Sequence, residues 1–131
     1  MKLRQCILFL MLGLAISCSR KSDMSQVHVI LADKFARALA EGRFDDANAM
    51  LSDDQKKALS AAELKKQYEG MIAYGPGPAK HVEVMQTLDG WPEKKKEDVG
   101  WVYDAIAGDN FSEGVTLVVK RGASGCLQFG R

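Results

Sequence analysis

The first half of the chain alternates apolar and polar residues at helical spacing. Apolar side chains recur every three or four positions over residues 27–39, which predicts one amphipathic helix that is capped by Asp23 and ends near Gly42. A short second helix is predicted over residues 44–51. The chain therefore starts its folded part with helices.

Two capping boxes follow, in which a serine is paired with a carboxamide or carboxylate three positions later. Ser52 precedes Gln55 in the first box, and Ser60 precedes Glu63 in the second, so a helix is predicted to begin at each serine. The last helix is predicted to end at Gly75, because glycine accepts the left-handed conformation and Pro76 cannot continue a helix. Its apolar side consists of Leu64, Tyr68, Met71 and Ile72.

From Lys80 the period of the pattern changes to two, which is typical of β-strands. In the first strand, one face is predicted to hold Val82, Val84, Gln86 and Leu88. A long hairpin is predicted from residues 101–107 and 111–120, with a final strand over residues 126–129. Helices followed by antiparallel strands predict an α+β domain, with the N-terminal helices packed on one face of a curved antiparallel sheet.

Both faces of this sheet carry apolar side chains. Val102 and Ile106 alternate with Trp101, Tyr103 and Ala105, although a sheet with one face in water would alternate apolar and polar residues. The helices can cover only one face of so small a domain. We therefore expect the second face to meet a protein partner or another copy of the chain.

The N-terminus has the pattern of an export signal. A positive start, an apolar run over residues 6–16 and small residues before Cys18 predict a signal peptide over residues 1–17, too short to span a bilayer. The sequence Leu14-Ala15-Ile16-Ser17-Cys18 resembles the lipobox of bacterial lipoproteins. That resemblance implies a lipid-modified Cys18 that anchors the protein in the bilayer, a short tether ending at residue 23 and a single domain over residues 24–131. Ser19 after the cysteine resembles the signal that sends lipoproteins to the outer membrane, where the domain would face the periplasm.

A second interpretation of the same leader stays open. Ala15 and Ser17 also satisfy an ordinary signal-peptidase site, which would release a soluble secreted protein with a free Cys18. In that case an oxidising compartment would permit a disulfide between Cys18 and Cys126. If Cys18 carries lipid, Cys126 is the only remaining cysteine, and it is predicted to be a buried thiol.

Length and charge narrow the classes of function. The 131 residues allow one domain. With 18 basic and 17 acidic residues the formal net charge is +1, and no basic stripe is present, so a nucleic-acid partner is not expected. Two histidines and one remaining cysteine provide no ligand cluster, so the sequence predicts neither a metal site nor another cofactor.

The order of elements, together with two motifs, resembles the nuclear transport factor two-like superfamily, and in particular its small exported bacterial members. The motifs are Phe35-Ala36-x-Ala38-Leu39-x-x-Gly42-x-Phe44-Asp45-Asp46-Ala47 and the run from Gly114 through Val115, Thr116, Leu117 and Val118 to Val119. The resemblance implies a cone-shaped domain over about residues 24–131. Enzymes of this superfamily place an Asp, His or Tyr inside the cone.

The residues of this chain that could play such a catalytic part are Tyr68, Tyr103, Asp104, His28 and His81. Tyr103 and Asp104 are neighbours on a predicted strand and must point to opposite faces, so they cannot form a catalytic pair without a bulge. No nucleophile and base stand at a recognisable spacing. The sequence therefore predicts no catalytic residues and a protein that is not an enzyme.

The candidate partner-binding residues are Trp91, Trp101, Tyr103 and Asp104. Trp91 lies beside Lys94, Lys95 and Lys96, so this segment can face a partner or lipid headgroups; in the alternative it is a solvated loop with Trp91 folded back on the domain. The favoured hypothesis is a non-catalytic envelope lipoprotein that binds a protein partner near the membrane, for example an inhibitor or immunity protein. The alternatives are a small-ligand binder or enzyme that uses the cone cavity, and a homodimeric structural subunit of the envelope.

Overall fold

Four helices precede the sheet in the computed structural model, which describes residues 27–121 and the backbone of residues 127–130. The helices are α1 (Val27–Ala40), α2 (Phe44–Met50), α3 (Asp53–Ala58) and α4 (Ala61–Met71). All four predicted helices are confirmed within the described residues. The predicted signal peptide, Cys18, the tether and the Asp23 cap lie outside them.

The helix starts follow local side-chain chemistry. The Ser60 hydroxyl accepts a hydrogen bond from the Glu63 N–H, and the Glu63 carboxylate accepts one from the Ser60 N–H, which completes the predicted capping box of α4. Before α3, the Ser52 hydroxyl accepts a hydrogen bond from the Gln55 N–H. These bonds satisfy backbone donors that a helix leaves free in its first turn.

The end of α4 differs from the prediction. The helix stops at Met71, with Ile72 as its C-cap, rather than at Gly75. Among the described residues the glycines with positive φ are Gly42 and Gly77, so Gly75 does not adopt the left-handed conformation. A β-carbon at Gly75 would overlap the backbone carbonyl of Asn110. The glycine is required here because two chain segments approach closely, not because of a left-handed turn.

Truncation of the α4 cap should lower stability measurably. We expect Ser60→Ala to reduce the free energy of unfolding by about 1 kcal/mol, since it removes a bond to the first turn of α4. Urea denaturation measures the change. Ser112→Ala is the matched control, because Ser112 is exposed and engages Tyr74 through its backbone. Equal stability of both variants and the native protein would contradict the capping argument.

The sheet consists of β1 (Ala79–Leu88), β2 (Asp98–Gly108), β3 (Ser112–Lys120) and β4 (Leu127–Gly130). Neighbouring strands are antiparallel and lie in the order β1-β2-β3-β4. The predicted hairpin is confirmed as β2 and β3, although β2 begins three residues earlier than predicted. The last strand begins one residue later than predicted, and Cys126 lies outside the described residues.

A β-bulge in β1 changes the predicted faces of that strand. Val82 and Val84 pair with Ile106 and Asp104 as the alternation predicts, but the register shifts between Val84 and Gln86. After the shift Gln86 lies opposite Tyr103, and Leu88 lies opposite Trp101. Gln86 and Leu88 therefore share a face with the aromatic pair and not with the valines, because the bulge adds one residue to the repeat of two.

The hydrophobic core lies between the helices and one face of the sheet, which we call the inner face. The buried inner-face residues are Val102, Asp104, Ile106, Val115, Leu117 and Val119. Helix α1 contacts β1, β2 and β3, and its Phe35 and Leu39 are completely buried. The chain is thus an α+β domain with its helices on one side of an antiparallel sheet, as predicted.

Candidate functional site

The sheet face opposite the core, called the outer face here, carries a stacked aromatic pair. Trp101 and Tyr103 alternate with the buried inner-face residues of β2, so they point away from the core. Their ring centroids are 6.3 Å apart and their planes differ by 8°. Tyr103 remains 37% exposed despite this stacking. The sequence prediction that apolar residues occupy both faces is therefore confirmed for β2.

Gly114 on β3 makes room for the tyrosine ring. Gly114 pairs with Ala105, one diagonal step from Tyr103, and a β-carbon at Gly114 would overlap the Tyr103 phenol ring and its hydroxyl. The ring therefore lies across the neighbouring strand. In the sequence Gly114 was visible only as part of a strand motif. Its contact with Tyr103 joins two strands and therefore leaves no local signal.

Further apolar side chains surround the pair. Leu88 and Val118 lie opposite Trp101 on the two neighbouring strands, which makes an apolar row across three strands. Met85, at the bulge, is 58% exposed. Aromatic residues and methionine are enriched at protein interfaces, where Trp and Tyr often supply much of the binding energy. The outer face therefore has the composition of a contact surface.

Asp104 does not belong to this surface. It was predicted to bind a partner together with Trp101 and Tyr103, but it lies on the inner face of β2 between Val102 and Ile106 and is 0% exposed, so it does not share the outer face with them. The strand repeat of two places it on the face opposite Tyr103, as the sequence analysis also predicted. Neither carboxyl oxygen has a hydrogen-bond partner.

The surroundings of Asp104 favour its neutral form. Its pKa is raised from 3.8 to about 7, chiefly by burial and also by the charge of Asp33, while Arg37 acts in the opposite direction. Both of these charged residues lie on α1. Because the carboxyl has no partner in the core, ionisation would place an uncompensated charge there. The group therefore holds its proton up to about neutral pH.

Asp33 and Arg37 form an ion pair on α1 that sequence reasoning missed. The Arg37 Nε lies 2.7 Å from the Asp33 carboxylate, and its Nη2 donates to the Val82 carbonyl of β1 at 3.3 Å. An Asp and an Arg four positions apart on a largely apolar helix could have indicated this ion pair from the sequence. The pair binds α1 to the sheet edge near Asp104.

The other candidate catalytic residues are dispersed over the domain. Tyr68 is buried among the helices with its ring centroid 5.9 Å from that of Phe44, and burial raises its pKa. His28 is buried where α1 begins, and a β-carbon at Gly100 would overlap its ring. His81 is exposed near the start of β1. None of these residues is hydrogen-bonded to Asp104.

Trp91 lies in the connection between β1 and β2. It is half-buried, and the Lys94 ammonium lies 5.6 Å from the centre of its ring. The segment is thus neither fully exposed nor folded entirely into the domain. Residues 27–121 and 127–130 contain no group of three His, Cys, Asp or Glu side chains that could hold a metal ion.

In the part of the chain described, none of the helices has both the length and the apolar character needed to cross a bilayer. No protein-family model matches this sequence, and no curated protein is significantly similar to it.

Proposed function

We propose that this chain is a non-catalytic lipoprotein of the bacterial envelope that binds a protein partner through the outer face of its sheet. The single observation that supports it most strongly is the stacked Trp101–Tyr103 pair, which stays accessible on the side of the sheet that the helices leave uncovered. The nuclear transport factor two-like architecture forms part of the proposal and is supported by the order of helices and strands.

The anchoring part of the proposal depends on the leader. Leu14 to Cys18 resemble a lipobox, and Cys18 is the residue we expect to carry lipid. Two or three acyl chains would hold the domain on the bilayer, since each buried methylene contributes about 0.8 kcal/mol. Ser19 favours the outer membrane as the destination. The partner would then be an envelope or exported protein, with an inhibitor or immunity role as the concrete form.

The absence of catalysis is proposed from the positions of the titratable groups. Asp104 and Tyr103 lie on opposite faces of β2, and both Asp104 oxygens lack hydrogen-bond partners. General acid–base chemistry needs groups that reach the same reacting atoms. The ionisable groups close to Asp104 are Asp33 and Arg37, and these form an ion pair with each other.

Loss of the aromatic pair should weaken partner binding. We expect Trp101→Ala/Tyr103→Ala to weaken the complex at least about tenfold, because buried Trp and Tyr anchors each commonly contribute about 2 kcal/mol. The measurement is co-purification of the full lipidated chain with its partner from detergent-solubilised envelopes, followed by titration of that partner.

Tyr74→Ala is the matched control, since Tyr74 is also exposed but lies in the connection between α4 and β1, where its hydroxyl bonds the Ser112 backbone. Thermal unfolding of each variant verifies that it is folded. Equal partner affinity for the double variant and the native protein would refute the outer-face proposal. A complex that consists only of this chain would instead identify the second copy as the partner and favour the structural-subunit alternative.

A second candidate function is supported by Asp104 alone. A buried carboxylic acid without a partner inside an otherwise apolar layer is suited to donate one hydrogen bond to a small ligand. If the domain binds such a ligand, a compound that raises the melting temperature of the native protein should fail to do so with Asp104→Leu. A ligand that stabilises both proteins equally would exclude Asp104 as its binding group.

A further inference from the structure

Different chain segments meet at the two ends of the domain. His28 in the first turn of α1 packs over Gly100, and the Arg121 N–H donates to the Glu97 carbonyl at 2.8 Å. The start of α1, the β1–β2 connection (residues 89–97) and the end of β3 therefore lie at one end. We call this the lysine end. At the opposite end the Tyr74 hydroxyl bonds the Ser112 backbone, and Lys80 pairs with Asp109.

The lysine end has three ammonium groups without carboxylate partners. Residues 94–96 are exposed lysines, and among the described residues no ion pair includes any of them. Of the nearby acidic groups, Asp98 accepts bonds from the Lys95 N–H and the Lys120 ammonium, and Glu97 lies 3.8 Å from Lys120. Asp89 and Glu93 are exposed and form no ion pair among the described residues. The Lys94 ammonium donates to the Asp89 carbonyl at 2.5 Å and lies beside the Trp91 ring, but neither contact neutralises its charge. The three positive charges can therefore attract negative groups outside the molecule.

Apolar side chains lie at the same end. Val27 is 72% exposed and Ile30 is 42% exposed, both where α1 begins. Trp91 lies half-buried beside the Lys94 ammonium. Tryptophan and lysine together are typical of the interface between a bilayer and water, where the indole sits at headgroup level and the ammonium meets phosphate.

The chain enters the domain at this end. Cys18 precedes Val27 by nine positions, and nine fully extended residues span at most about 32 Å. An anchor at Cys18 thus keeps the start of α1 within that distance of the bilayer. The opposite end has no such constraint.

We propose that the lysine end rests on the membrane surface, with Lys94, Lys95 and Lys96 against lipid phosphates and Trp91 at headgroup level. This inference depends on the proposed anchoring at Cys18. The partner would approach from the side, because the outer face runs along the strands between the two ends. The lysines and Trp91 would thus set the orientation of the domain on the membrane, whereas Cys18 would anchor it.

The two tryptophans of the chain permit a direct test. Full-length lipidated protein is reconstituted into vesicles of phosphatidylcholine and phosphatidylglycerol with brominated acyl chains, which quench only tryptophans near the bilayer. Trp101→Phe leaves Trp91 as the reporter, and Trp91→Phe leaves Trp101. We expect quenching of Trp91 to exceed that of Trp101 at least about twofold, because Trp91 lies in the β1–β2 connection of the lysine end whereas Trp101 lies within strand β2.

Charge reversal is the second arm of the test. Lys94→Glu/Lys95→Glu/Lys96→Glu in the Trp101→Phe protein should remove most of the Trp91 quenching. The control reverses three exposed lysines of α3 and α4 by Lys57→Glu/Lys65→Glu/Lys66→Glu, which gives the same net charge and should leave the quenching unchanged.

The outcomes separate this inference from the proposed function. If the chain is lipidated but both tryptophans are quenched equally, or charge reversal has no effect, the proposed orientation is overturned and the proposed anchoring is not. An intact mass without lipid on Cys18 overturns the anchor instead. The unlipidated chain is then mixed with the same vesicles. Vesicle binding that the lysine reversal abolishes supports contact of the lysine end with lipid. The proposed contact is overturned if the chain does not bind vesicles, or if its lysines mediate binding only to an acidic protein.

Discussion

Asp104→Asn should make the domain more stable than the native protein above pH 7 and leave it nearly unchanged below the unfolded pKa of 3.8. The folded chain holds the Asp104 proton up to about pH 7, whereas the unfolded chain releases it near the ordinary pKa of 3.8. Between these values the unfolded state binds fewer protons, so native stability falls as the pH rises. Asparagine has a similar shape and does not ionise, which removes this dependence.

The size of the effect follows from the two pKa values. The difference between about 7 and 3.8 corresponds to about 4 kcal/mol of stability that is fully lost once the pH exceeds the folded value. Urea denaturation of both proteins between pH 4 and pH 8 measures it. Parallel pH profiles for the two proteins would show that Asp104 is not a buried, unpaired acid.

Asp98→Asn should change the stability in the opposite direction. Burial by itself would raise the pKa of Asp98, but the hydrogen bonds from the Lys95 N–H and the Lys120 ammonium lower it. Asp98 thus stabilises the folded chain above its unfolded pKa, and this contribution is lost as the pH falls. At pH 7 we expect Asp98→Asn to destabilise the domain while Asp104→Asn stabilises it.

Gly75→Ala should destabilise the domain by about 3 kcal/mol, because the new methyl group would overlap the backbone carbonyl of Asn110 and two connections would have to separate. The adjacent contacts hold these connections together, since the Tyr74 hydroxyl accepts from the Ser112 N–H at 2.9 Å. A backbone carbonyl cannot rotate away as a flexible side chain would. The melting temperature and the free energy of unfolding in urea measure the effect.

Gly70→Ala is the matched control for this substitution. Gly70 lies within α4, and nothing lies within 4 Å of a β-carbon placed there. Alanine is favoured over glycine inside a helix by about 1 kcal/mol, so this variant should be stabilised. A Gly75→Ala protein as stable as the native chain would show that the α4–β1 connection and the β2–β3 turn do not pack as described.

Much of the fold was predictable because its determinants are local. The Ser60 and Glu63 pair marks the start of α4 within four residues, and the spacing of Phe35 and Leu39 predicts the buried side of α1. The opposite orientation of Tyr103 and Asp104 follows from strand geometry alone. The bulge after Val84 was not predictable, since the sequence alternates without interruption and the extra residue is visible only against β2.

The candidate site was predicted only in part, for the same reason. Trp101 and Tyr103 were identified from the apolar content of both sheet faces, but their stacking depends on Gly114 from another strand. Asp104 was named with Trp101 and Tyr103 as a candidate partner-binding residue, although strand geometry places it on the face opposite Tyr103. Its burial results from α1 packing over β2, which brings Asp33 and Arg37 close to it.

The sequence by itself determined the order of helices and strands, the helix starts and the apolar character of both sheet faces. Each of these depends on residues within about ten positions of one another, where backbone geometry and side-chain chemistry act directly. Only the tertiary structure decided the pKa of Asp104, the need for glycine at positions 75 and 114, and the meeting of α1 with residues 89–97 at one end. These properties depend on burial and on contacts between segments far apart in the chain, which no local pattern encodes.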